Sequence, residues 1–199
     1  MKRIAILATI LSLVLIPVQR LYAADETVVP SAVGGFVLNS SIKNYDTKGY
    51  ANYLNEVIIT GLKGFRKGFI TSGTCANPDT ILRIKLKYED RSLAFFEELL
   101  KRYKQAFGSK PEFSGDRFGN VKSWEWQFAD KDGHAIKLVL QHNLKDADET
   151  IGNMVKLSMP ELMNEERECF NKAHAASAEA NAEAQGGSEG PDWTVLIPK

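Results

Sequence analysis

Cysteine, histidine and long apolar runs are the scarce features of this 199-residue chain. There are two cysteines and three histidines. Their spacing suits no zinc site, and no CxxC redox pair is present. No P-loop, GxGxxG, HExxH or nucleophile-elbow sequence occurs, so the common routes to nucleotide binding, metalloproteolysis and serine hydrolysis are unsupported. Only one long apolar run exists, and it lies at the amino terminus. An excess of positive charge is also missing, which argues against nucleic acid or an anionic membrane surface as main partner.

The single apolar run has a specific form. Lys2 and Arg3 precede an apolar stretch over residues 4–18, and small residues including Ala23 and Ala24 follow. Charged, apolar and small-residue regions in that order make a secretory signal peptide, expected over residues 1–23. The run is about 15 residues, short of the roughly 20 that a membrane-spanning helix needs. The expectation is therefore export, with the periplasm favoured over secretion, and a chain that is not membrane-embedded once cleaved. Lys2, Arg3 and Arg20 lie in this leader and all 25 acidic residues lie beyond it. The remainder therefore carries three more acidic than basic residues.

In an oxidising compartment, an even count of two cysteines predicts the disulfide Cys75–Cys169. It would close a loop of roughly 95 residues, and loop closure of that size stabilises by roughly 4 kcal/mol on the chain-entropy model. The competing reading makes Cys75 a thiol nucleophile with His134 or His142 as base. No motif around Cys75 supports it.

Hydrophobic periodicity divides the rest. Residues 24–34 read as a linker and 36–38 as a short strand. The sequence Asn39-Ser40-Ser41, also a formal glycosylation sequon, caps a helical turn from Ile42. Residues 57–59 form a strand, and 65–72 with 81–88 form a hairpin across a turn-rich connection containing Cys75. Over 81–88 the alternation is clean: Leu82, Ile84, Leu86 and Tyr88 share one face, and Arg83, Lys85 and Lys87 the other. Asp90 is the expected cap of a helix over 91–107, with Leu93, Phe96, Leu99, Leu100, Tyr103 and Phe107 at helical spacing and Gly108 as its stop. Residues 108–121 read as a loop.

A second hairpin follows. Trp124, Trp126 and Phe128 alternate on one arm, Ile136, Leu138 and Leu140 on the other, and Asp130-Lys131-Asp132-Gly133 turns between them. That turn resembles a calcium loop only superficially: aligning its glycine puts Val139 where the bidentate glutamate belongs. Val155, Leu157 and Met159 mark a last strand, and Pro160 opens a helix reaching at least His174. The predicted fold is thus α+β: a single antiparallel or mixed sheet with helices packed on one face. The domain spans 35–174. An Ala/Glu then Gly/Ser-rich flexible segment covers 175–191, and an apolar peptide ends the chain at 192–199.

No catalytic, metal or cofactor site is expected. Four features remain. Trp193, Val195, Leu196 and Ile197 form an apolar patch on a polar tether, suited to docking on a protein partner or to folding back onto the chain's own sheet. Arg83, Lys85, Lys87, Lys137 and Lys156 lie opposite the apolar residues of their strands, which puts five cations on the uncovered face. Trp124 and Trp126 read as core at strand spacing, with an aromatic ligand platform as the alternative, and Asp146, Asp148 and Glu149 as a solvated acidic loop, with weak cation binding as the alternative. The leading reading is an exported, non-enzymatic accessory or protein-binding subunit of a cell-envelope assembly. The alternative is a binding module for a small anionic or apolar ligand, and the second alternative a small hydrolase or thiol enzyme.

Overall fold

A computed structural model describes residues 28–45, 49–50, 53–108, 110–144 and 151–184. The leader at 1–23, the acidic cluster Asp146, Asp148 and Glu149, and the peptide at 192–199 lie outside the described residues.

The chain begins with a hairpin of β1 (Ala32–Val33) and β2 (Phe36–Val37), followed by a single 3-10 turn at Ile42–Asn44. Ser41 caps that turn, accepting from the Lys43 N–H. The segment read as a linker therefore ends in a strand. Next come β3 (Gly49–Tyr50), β4 (Leu54–Ile59), β5 (Phe65–Gly73), β6 (Ile81–Tyr88) and helix α1 (Leu93–Phe107). After them follow β7 (Glu112–Phe113), β8 (Val121–Ala129), β9 (Ala135–Asn143), β10 (Gly152–Ser158) and helix α2 (Pro160–Ala184).

Strands β3 to β10 form one eight-stranded sheet in the order β3-β4-β5-β6-β10-β9-β8-β7. Every pairing in it is antiparallel. The expectation of one sheet is corrected, because β1 and β2 make a separate two-stranded sheet. A second correction is β7, which pairs Phe113 with Trp124 inside the segment read as a loop. Both outer strands, β3 and β7, are only two residues long and each pairs with two residues of its neighbour.

The order has an internal symmetry. Three consecutive strands and a helix (β4-β5-β6-α1) are followed by three consecutive strands and a helix (β8-β9-β10-α2). The third strands of the two sets meet at the sheet's centre, with Ile84 opposite Leu157 and Leu86 opposite Val155.

Period-2 alternation sends one set of side chains beneath the helices. Ile70, Ile84, Leu86, Leu140, Val155 and Leu157 are buried there with Phe96 of α1 and Leu162 of α2. Aromatic contacts seat α1 on the same face: Phe95 on Tyr88, Phe96 on His142, Tyr103 on Trp126 and Phe107 on Phe128. Trp124 meets Phe113, and Lys104 of α1 lies 4.5 Å from its ring. Trp124 and Trp126 thus belong to the packing under α1, the core reading of their spacing rather than the platform. The hydroxyls of Tyr88 and Tyr103 share a hydrogen bond of 2.9 Å, and burial raises the pKa of both.

The cap of α1 is Ser92, whose hydroxyl accepts from Phe95 N–H; Asp90 instead accepts from Ser92 N–H one step earlier. A buried polar chain anchors this end from below. The His142 ring Nδ1 meets Asn153 Oδ1 at 2.6 Å, and Asn153 Nδ2 donates to the carbonyls of Asp90 and Ser92. Helix α2 continues to Ala184, so the first part of the segment read as flexible is helical.

Candidate functional site

The two cysteines are joined, Cys75 in the β5–β6 connection and Cys169 on α2, with Cα atoms 5.9 Å apart. Beside them sits Glu166, which looks out of place on the helix's inner stripe when the sequence is read alone. It is fully buried and accepts from three backbone N–H groups of the connection, those of Thr74, Cys75 and Asn77. Three and four residues separate neighbours on one helix face, so Glu166 and Cys169 reach the same loop together. Gly73 is required there, since a Cβ would lie 2.6 Å from Glu166 Oε1. Bonding Cys75 to Cys169 also removes its thiol from the nucleophile role.

The β8–β9 turn is self-contained. Asp130 Oδ1 accepts from the N–H groups of Asp132 and His134, and its other oxygen meets His134 Nδ1 at 3.2 Å. Desolvation opposes ionisation of Asp130, but these hydrogen bonds prevail and hold its carboxyl below the usual range. Donor atoms of Asp130, Asp132 and His134 lie within 4.8 Å of one another, yet they are explained by the turn they build.

The face of the sheet away from the helices carries the remaining chemistry. Arg83, Lys85, Lys87, Lys137 and Lys156 all project there, as their parity requires. They are not equivalent. Arg83 is committed to Glu56 at 3.1 Å and to the Thr71 hydroxyl, and Lys137 to Glu125 at 2.6 Å. Phe69 stands opposite Lys85 on β5, and three ammonium groups converge on its ring. Lys67 Nζ is 5.1 Å from the centroid, Lys87 5.2 Å and Lys85 6.0 Å. Among the described residues no carboxylate pairs with these three lysines. Desolvation, then repulsion from Lys85, Arg66 and Lys67, lowers the pKa of Lys87.

A pocket of about 310 Å³ opens beside them, lined by Phe69, Lys85, Gln141, Met154, Lys156 and the Arg83–Glu56 ion pair. Gln141 is only 7% exposed, and its side-chain Nε2 has no hydrogen-bond partner among the described residues. A buried amide donor without an acceptor is costly by about 1–3 kcal/mol, which an incoming oxygen atom relieves. Parity reveals the cations in the sequence but not Lys67, Phe69 or Gln141. A polar residue at an alternate strand position reads as solvated, and nothing local marks Gln141 as buried.

A larger cleft of about 700 Å³ lies between Leu38, Ile136, Met159 and the Asp130–Asp132 turn. Its wall is mixed, with Ser31, Asn39 and Lys131 beside the aliphatic side chains. Comparison with protein-family models, curated proteins and solved structures finds no match for this chain. No described helix is long and apolar enough to cross a membrane.

Proposed function

We propose that this chain is an exported, non-enzymatic binding module whose uncovered sheet face takes an amphipathic anion. The class is an acyl or aromatic body ending in a carboxylate, sulfate or phosphate. One observation carries the reading: among the described residues, Lys67, Lys85 and Lys87 converge on Phe69 without a carboxylate, next to a Gln141 Nε2 without an acceptor. Like charges held together in a partly desolvated site raise the free energy of the empty protein, and an anion relieves it. Phe69 and Met154 supply apolar contact for the body of the ligand. The leader sequence and the disulfide support export.

Calorimetric titration with dodecyl phosphate and dodecanoate, each below its micellar concentration, tests this, with inorganic phosphate as the comparison. Both amphiphiles should bind, inorganic phosphate should bind far more weakly, and Lys85→Glu/Lys87→Glu should weaken the amphiphiles at least tenfold, about 1.4 kcal/mol. Equal binding by the charge-reversed variant, or no binding of either amphiphile, overturns the reading. The accessory-subunit reading rests on Trp193, Val195, Leu196 and Ile197, outside the described residues.

A further inference from the structure

Ladder register arranges the uncovered face in rows that cross the strands. Lys67, Lys87, Met154 and Gln141 form one row, and Phe69, Lys85, Lys156 and Val139 the next. Met154 on β10 therefore lies between the lysines of β6 and Gln141 of β9, and all but Lys67, Lys87 and Val139 line the pocket there. Neighbouring strands are about 4.8 Å apart, so groups from β6 and β9 can close on one small anion above β10. The polar groups around this seat differ in what they already bond. Arg83 Nε donates to Thr71 and its Nη2 to Glu56, and Lys137 pairs with Glu125. Among the described residues three buried side-chain atoms lack a hydrogen-bond partner: Ser72 Oγ, His142 Nε2 and Gln141 Nε2. Parity puts Ser72 and His142 on the helix side, so on this face Gln141 stands alone. A buried amide donor that bonds nothing in the empty protein is costly, and a ligand oxygen accounts for it.

We infer that the ligand's head group is a phosphate monoester, seated over Met154 between Lys85 and Gln141, and that Gln141 is the residue that selects it. This inference rests on the sheet face being the binding surface and narrows the class of anion it takes. Charge is the first reason. Arg83 is paired with Glu56, whereas Lys67, Lys85 and Lys87 have no carboxylate partner among the described residues. A cluster of that charge is matched better by a dianion than by a single charge. A phosphate monoester carries about −1.5 to −2 at pH 7, a carboxylate or a sulfate ester only one charge. Donor number is the second reason. The monoester presents three strong acceptor oxygens, so Gln141 Nε2 takes one while the lysines hold the others. A carboxylate presents two oxygens, and the lysines alone can occupy both.

Calorimetric titration of the full chain at pH 8 compares dodecyl phosphate, methyl dodecyl phosphate and dodecanoate, each below its micellar concentration. The methyl ester keeps the tetrahedral phosphorus but has one charge and two terminal oxygens. Dodecyl phosphate should bind about tenfold more tightly than either of the others, the size of effect expected for one more hydrogen bond to a charged group. Gln141→Met should lose about that factor for dodecyl phosphate and leave dodecanoate within about twofold. Without ligand the same variant should unfold at an unchanged or higher urea midpoint, because the amide it removes bonds nothing there. Equal affinity for the three ligands overturns the inference, and so does Gln141→Met weakening phosphate and carboxylate alike. A lower urea midpoint for the empty variant also overturns it, since Gln141 then serves the fold. The outcomes separate the two proposals. If the three ligands bind alike and Lys85→Glu/Lys87→Glu weakens them all, the ligand face stands and the head-group assignment falls; if none of them binds, both fall.

Discussion

Glu166 shows how one side chain can organise a loop that has no regular structure. Its carboxylate accepts from three N–H groups that the turn-rich connection leaves unpaired. Glu166→Ala strands those donors in a partly buried site and should destabilise the protein by about 3 kcal/mol, while Glu166→Gln, which keeps one acceptor, should lose less. Urea unfolding with an unchanged m-value is the check; a loss under 1 kcal/mol for the alanine variant contradicts this role. Lys87 gives a pH prediction. Its folded pKa is lowered, so between that value and the ordinary lysine value the folded chain holds fewer protons than the unfolded one, and stability rises with pH there. An anion favours the charged form, so dodecyl phosphate binding should take up protons in the alkaline range and weaken as pH rises through Lys87's titration. Calorimetry in buffers of different ionisation enthalpy reads that uptake, and its absence would remove Lys87 from the site. At this scale the sequence shows chemistry without placement: Glu166 looks like a flaw in a helix stripe, and Gln141 like an exposed strand residue.

At the scale of elements, legibility followed how one-sided the burial is. Strand β6 alternates Leu82, Ile84, Leu86 and Tyr88 against Arg83, Lys85 and Lys87 because one face lies under helices, and its predicted bounds match the observed ones. The β8–β9 hairpin is legible for the same reason, with Gly133 at φ 87° closing its turn. Strands β1 and β7 are different: each is two residues long and exists only because a neighbour pairs with it, so no periodicity can announce it. The α1 cap was misplaced by two residues because Asp90 and Ser92 are both good caps, and Asp90 is used to orient Ser92. Ser92→Ala should therefore cost about 1 kcal/mol. Asp90→Ala should cost less, and equal losses in thermal unfolding would argue against this division of labour. The disulfide joins α2 to the β5–β6 connection across 94 residues. Replacing Cys75 and Cys169 by serine should cost about 4–5 kcal/mol on the loop-entropy model. The change is read as a lower urea midpoint at constant ligand concentration.

The whole molecule divides its labour between two faces of one sheet. Beneath the helices lie the aromatic and aliphatic side chains that fold the domain. On the other side three lysines gather around Phe69, and no carboxylate among the described residues pairs with them. The symmetric order of the strands puts β6 and β10 at the middle of that surface, where Lys85 opposes Lys156 and Lys87 opposes Met154. The most direct measurement is an amide map of the ¹⁵N-labelled full chain titrated with dodecyl phosphate. Saturable shifts should centre on the Gln141 side-chain amide and on the backbone of Phe69, Lys85 and Met154. Shifts that gather instead around Leu38, Asp130 and Asp132, or no saturable shift at all, would contradict the sheet face as the binding surface.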